Sequence, residues 1–89
     1  MQILLVEDDQ SLAQGLSQAL RPVGYSVNHV ATGKAAILAV KTDRPDIVIL
    51  DLGLPDIDGL DVLKAIRTQD KALPVLILSA RADLHHKVD

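Results

Sequence analysis

The sequence predicts a doubly wound α/β fold, a parallel sheet with helices on both faces, on three observations. Apolar runs of strand length alternate with stretches of helical period in the order βαβαβαβ. The links between them are short, which favours parallel strands joined by right-handed crossovers. Two runs, Ile3-Leu4-Leu5-Val6 and Ile47-Val48-Ile49-Leu50, are apolar without a break, as in strands covered on both faces. Both stop at carboxylates, Glu7-Asp8-Asp9 and Asp51.

The elements follow in order. After the first strand, Leu12, Ala13, Leu16, Ala19 and Leu20 recur at helical spacing from Ser11 to Leu20. Asp9 or Ser11 can cap that helix, and Pro22 with Gly24 ends it. Tyr25-Ser26-Val27-Asn28-His29-Val30 alternates, which suits a half-exposed strand at a sheet edge. Thr32-Gly33 opens a second helix, Lys34 to about Lys41, apolar on most sides, and Arg44-Pro45-Asp46 leads into the central strand. Gly53, Pro55, Asp56 and Gly59 make the turn after Asp51. Asp58 caps a third helix, with Leu60, Leu63 and Ile66 as its expected inner stripe and Asp61, Lys64 and Arg67 toward water. Pro74 precedes a fourth apolar strand, Val75-Leu76-Ile77-Leu78, ending at Ser79-Ala80, and Leu84 to Val88 starts a helical segment. The first and third strands should be central and the alternating second strand at an edge, and an order of 2-1-3-4 satisfies this. The switch point then lies between strands one and three, where Glu7-Asp8-Asp9 and Asp51 should converge.

With 89 residues the chain is one domain at most. Apolar residues make up 48% and charged residues 24%, as in ordinary globular domains, and Tyr25 is the sole aromatic residue, so the core is aliphatic. A net charge of -3 with scattered Lys and Arg argues against nucleic-acid binding by this segment. Without cysteine there are no disulfides, thiolate metal sites or cysteine nucleophiles. Met1-Gln2 runs directly into a strand and no apolar run is long enough to span a membrane, so a cytoplasmic location without a signal peptide is expected.

Converging carboxylates repel one another and raise each other's pKa unless a cation sits among them. Oxygen-only ligands with access to water suit Mg²⁺. A carboxylate in such a site can attack a phosphoryl group to give an aspartyl phosphate, or can simply hold the ion. Taken alone, either acidic stretch reads better as a solvated cap or turn, since acids before helix N-termini are common. Their joint placement at one switch point favours a site. Ser79, at the end of strand four beside strand three, could donate its hydroxyl to a phosphoryl oxygen on Asp51, or could be an ordinary strand-end residue.

Leu5-Val6-Glu7-Asp8-Asp9, Val48-Ile49-Leu50-Asp51-Leu52-Gly53-Leu54-Pro55-Asp56-Ile57-Asp58-Gly59 and Pro74-Val75-Leu76-Ile77-Leu78-Ser79-Ala80-Arg81 together resemble a response-regulator receiver domain of two-component systems. The nearest likeness is to the winged-helix transcription-factor subfamily. The resemblance runs the length of the chain and carries a flavodoxin-like fold whose known strand order contains the one deduced above. It implies Asp51 as phosphoacceptor and metal ligand, Asp8 as a direct Mg²⁺ ligand, Glu7 as a nearby ligand through water, and the backbone carbonyl of Gly53 as another. It also implies Ser79 as a switch hydroxyl, with Ala80 leaving space for it, and Pro55 and Gly59 as shapers of the loop. The phosphoryl donor would be a sensor histidine kinase, and the domain would catalyse only its own phosphorylation and dephosphorylation. The full receiver would form a homodimer and act on DNA through a separate effector domain.

On this resemblance residues 1–89 are a receiver short of its full length. The rest of a fourth helix, a fifth strand and a fifth helix would follow, the strand bearing a phosphoryl-pairing Lys for which Lys87 comes too early. Strand four is then expected to be a bare apolar edge, with weak stability or oligomerisation as the consequence. Other classes fit less well. A phosphatase of the haloacid-dehalogenase type needs a second acid two residues after its nucleophile, where this chain has Gly53. A flavodoxin-like cofactor binder needs a phosphate cradle after strand one, where three carboxylates would repel the ligand. A stand-alone receiver without DNA-binding output is a further variant. His29 should face solvent or the exposed side of the edge strand, and His85-His86 point apart on a helix, so no histidine is expected to bind metal.

Overall fold

Strand register explains which strands are central. In the computed structural model, which describes residues 1–78, β1 (Gln2–Val6) pairs in parallel with β2 (Ser26–Val30) on one side. On its other side it pairs with β3 (Ile47–Leu50), and β3 pairs in turn with β4 (Val75–Ile77). The order is β2-β1-β3-β4, all parallel, the order that the pattern of apolar runs satisfied. Leu4, Leu5, Val6, Val48 and Leu50 are essentially inaccessible to water, whereas β2 is only half-buried.

Three helices fill the crossovers: α1 (Gln10–Leu20), α2 (Gly33–Asp43) and α3 (Gly59–Gln69). Period-2 alternation along β1 and β3 sends side chains to opposite faces of the sheet. Leu4, Val6, Val48 and Leu50 meet Ala36, Ala39 and Val40 of α2 and Val62 and Ile66 of α3. Ile3, Leu5 and Ile49 meet Ala13, Leu16 and Leu20 of α1. The sheet is therefore covered on both sides, the doubly wound arrangement. Among the described residues no helix is long and apolar enough to cross a membrane.

Each helix starts on a side-chain cap. Asp9 accepts from Leu12 N–H at 3.1 Å, Thr32 from Ala35 N–H at 3.1 Å, and Asp58 from Leu60 N–H at 2.9 Å. Helix α1 passes into a 3₁₀ turn at Arg21–Val23 and stops at Gly24, whose φ of 103° only glycine adopts readily. Helix α2 runs two residues beyond the expected Lys41 and ends at Arg44, with φ 49° in the left-handed region.

The inner stripe of α3 differs from the sequence expectation. Leu60 is 53% exposed, and the buried positions are Gly59, Val62 and Ile66, with Leu63 packed at their margin. The reason lies in the entry loop: Gly59 is pressed against Leu52, which fixes the rotation of the helix and turns Leu60 outward. Arg67 also departs from a purely solvated role, because its guanidinium donates to the carbonyl of Leu73. Strand β4 is shorter than expected by one residue, and its Leu76 and Ile77 are exposed. The expected switch residue Ser79, its neighbours Ala80 and Arg81, the helical start at Leu84 to Val88, and with it His85, His86 and Lys87, lie outside the described residues.

Candidate functional site

The two central strands end side by side, Val6 opposite Leu50. The next residues continue the ladder: Asp51 N–H donates to the Val6 carbonyl at 3.0 Å, and Glu7 N–H to the Val30 carbonyl at 3.0 Å. These bonds deliver Glu7, Asp8 and Asp51 to one rim of the sheet. One carboxylate oxygen of each lies within 4.8 Å of those of the others. The convergence deduced from strand order is thus found for Glu7, Asp8 and Asp51, whereas the Asp9 side chain turns to cap α1.

The three acids occupy different environments. Glu7 is buried at 3% exposure, Asp51 is half-buried and Asp8 is open to solvent. Burial pushes the Glu7 carboxyl above its ordinary pKa, and the nearby charge of Asp51 and side-chain hydrogen bonds with Asp8 and Asp51 push the same way. Asp9 N–H opposes this by donating to Glu7 Oε2 at 3.1 Å. An uncompensated cluster of this kind is electrostatically costly, and a divalent cation is what would relieve it. All the donors are hard oxygens and one side is wet, so the set fits Mg²⁺.

The loop at residues 52–58 carries Gly53, half-buried, two positions after Asp51. It is anchored at both ends. Gly59 N–H donates to the Leu52 carbonyl at 3.3 Å, and any Cβ at Gly59 would collide with the backbone and side chain of Leu52. Leu52, Leu54 and Ile57 pack on the core.

Two contacts were not legible in the sequence. Asp56 reaches across to the first turn of α2, accepting from Gly33 N–H at 2.7 Å and from Lys34 N–H at 3.0 Å. These two N–H groups hold its carboxyl below the ordinary value. The one sequence cue is that α2 carries no acid in its own first turn. His29, expected to face solvent or the exposed side of the edge strand, is half-buried, with Nε2 2.7 Å from the carbonyl oxygen of Glu7.

Residues 3–89 match the response regulator receiver domain. The transcriptional regulatory protein BasR of Escherichia coli is 47% identical over 88 residues, covering 99% of this chain and 40% of that protein. The probable transcriptional regulatory protein TcrX of Mycobacterium tuberculosis is 41% identical over 86 residues, covering 97% of this chain and 37% of that protein. The chain therefore spans about two-fifths of the length of these curated relatives. Among solved structures, the non-phosphorylated HemR receiver domain from Leptospira biflexa superposes with a TM-score of 0.87 at 37% identity, covering 98% of this chain and 70% of that one. With the sheet order, the acidic rim and these likenesses in agreement, the chain belongs to the response regulator receiver domain family.

Proposed function

We propose that this chain is the phosphoacceptor unit of a two-component response regulator, with Asp51 receiving the phosphoryl group from a sensor histidine kinase. The observation that carries the reading is the placement of Glu7, Asp8 and Asp51 within 4.8 Å at the ends of the two central strands. Glu7, Asp8, Asp51 and the Gly53 carbonyl would hold Mg²⁺, which when bound offsets the charge of the phosphoryl oxygens. Asp51 is the acceptor because it is half-buried on a stiff strand end, reachable by a donor yet fixed in direction. One of its carboxylate oxygens attacks phosphorus, the P–N bond of the donor phosphohistidine breaks, and the imidazole leaves as that nitrogen takes up a proton. Glu7, buried beside Asp51, is the less accessible of the two carboxylates to an incoming donor, and a bound cation would favour its charged form against the cost of burial. The domain acts on itself and on no other substrate, as a signalling unit.

In the full protein, phosphorylation would control dimerisation and DNA binding through a further domain. The transcriptional-regulator relatives support this, whereas the acidic balance of this segment argues against DNA contact by it. Ser79 is proposed as the switch hydroxyl on the resemblance alone. Intact-mass spectrometry after incubation with acetyl phosphate tests the core of the reading. A Mg²⁺-dependent gain of one phosphoryl group, absent in Asp51→Asn, is expected. A gain that persists in Asp51→Asn would overturn the assignment.

A further inference from the structure

Helix α2 begins with a shortage of acceptors. Thr32 Oγ1 takes only the Ala35 N–H, and the helix supplies no acid in its first turn, so Gly33 and Lys34 N–H depend on a partner from elsewhere. That partner is Asp56, 23 and 22 residues away in sequence, which takes both with one oxygen each. The seat is shaped for it. A Cβ on Gly33 would stand 2.7 Å from Val62 Cγ2, 3.1 Å from Ile57 Cβ and 3.3 Å from Asp56 Oδ1, so only glycine lets the loop come this close.

The contact also closes a circuit around the acidic pocket. Between Gly53 and Asp56 lie only Leu54 and Pro55, and the proline fixes its own φ, so the tether is short and stiff. From α2 the chain leads back through Thr32 and Ala31 to the end of β2. There Val30 accepts from Glu7 N–H at 3.0 Å, and His29 Nε2 meets the Glu7 carbonyl at 2.7 Å. The donors at the end of β3 and those at the end of β1 are thus joined twice, by the β1–β3 ladder and by this second route through α2.

We infer that Asp56 is a positioning residue for the cation pocket: by clamping loop 52–58 to the first turn of α2, it sets the spacing between the Asp51–Gly53 donors and the Glu7–Asp8 donors. The inference rests on the reading of that pocket as a Mg²⁺ site. Asp56 is not one of the converging acids; its carboxylate is engaged by Gly33 and Lys34 N–H. It acts as outer partners of metal ligands do, by restricting where the ligands can stand. Its depressed pKa is consistent with an ionised clamp at neutral pH.

The test is a Mg²⁺ titration by calorimetry, paired with thermal denaturation in metal-free buffer, on the protein and on Asp56→Ala, Asp56→Asn and Thr32→Ala. Asp56→Ala is expected to weaken Mg²⁺ binding about tenfold, the scale on which outer-shell partners act. Asp56→Asn should fall between, because its amide oxygen can still accept one of the two N–H groups. Thr32→Ala removes a different cap of the same helix, so it should lower the metal-free melting temperature while leaving Mg²⁺ affinity at the parent value. The inference is overturned if Asp56→Ala binds Mg²⁺ as tightly as the parent, or if Thr32→Ala weakens binding as much as Asp56→Ala does. Failure of the parent itself to bind Mg²⁺ is a different result, which would overturn the pocket reading and this inference with it.

Discussion

Replacing Glu7 by Gln should stabilise the metal-free protein, although it removes a residue of the proposed site. The side chain is 3% exposed, and its carboxylate oxygen lies within 4.8 Å of one on Asp51. At 4.8 Å and an effective dielectric of about 20, two like charges repel by about 3 kcal/mol. Because Asp51 is half-exposed and Asp8 open to water, screening reduces the net effect to about 1 kcal/mol. Gln keeps the shape and an oxygen for the Asp9 N–H, so little opposes the gain. For a domain of this size that corresponds to a melting temperature higher by about 4–8 °C in EDTA at pH 7, read by far-ultraviolet circular dichroism.

The pH dependence has a definite sign. Glu7 is raised above its ordinary value of 4.5 in the folded state, so its contribution to stability is fully present below pH 4.5. It is lost as pH rises through the folded-state pKa. The advantage of Glu7→Gln should therefore vanish in acid and open as pH rises toward neutrality. Mg²⁺ should reverse the ranking, because an ion bound only by the folded state adds stability by mass action and the proposed site, with Glu7 intact, should bind it more tightly. A variant that melts below the parent in EDTA at pH 7, or an advantage that does not shrink in acid, would refute the argument.

Three further substitutions probe the scaffold. Gly59→Ala should destabilise the chain by about 2 kcal/mol in urea denaturation, since its Cβ would displace the Leu52 backbone and shift the loop after Asp51. Ile66→Ala should cost about 3 kcal/mol, whereas Leu60→Ala should cost less than about 0.5 kcal/mol, the reverse of what an inner stripe containing Leu60 would require. Arg44→Gly should raise stability by about 0.5–1 kcal/mol by relieving a side chain held at φ 49° where α2 ends, read as a higher midpoint in the same denaturation.

The sequence by itself determined the strands, their order and the convergence of the acids. Uninterrupted apolar runs at 3–6 and 47–50 can be satisfied only between two helical layers, and the alternation at 25–30 only at an edge. Once those positions are set, parallel pairing leaves Glu7, Asp8 and Asp51 no choice but to end at the same rim. The Asp58 cap was legible, and Asp9 was one of two candidates for α1, because caps are local hydrogen bonds between residues two or three apart; at Thr32 the sequence showed the helix start and the structure the cap. What tertiary structure alone decided depends on contacts between distant segments. The rotation of α3, which exposes Leu60 and buries Val62, is set by Gly59 against Leu52, a packing constraint that helical period does not contain. The pairing of Asp56 with Gly33 and Lys34, and of His29 with the Glu7 carbonyl, joins residues 22 or more apart, and such partners are chosen only when the loops are folded into place.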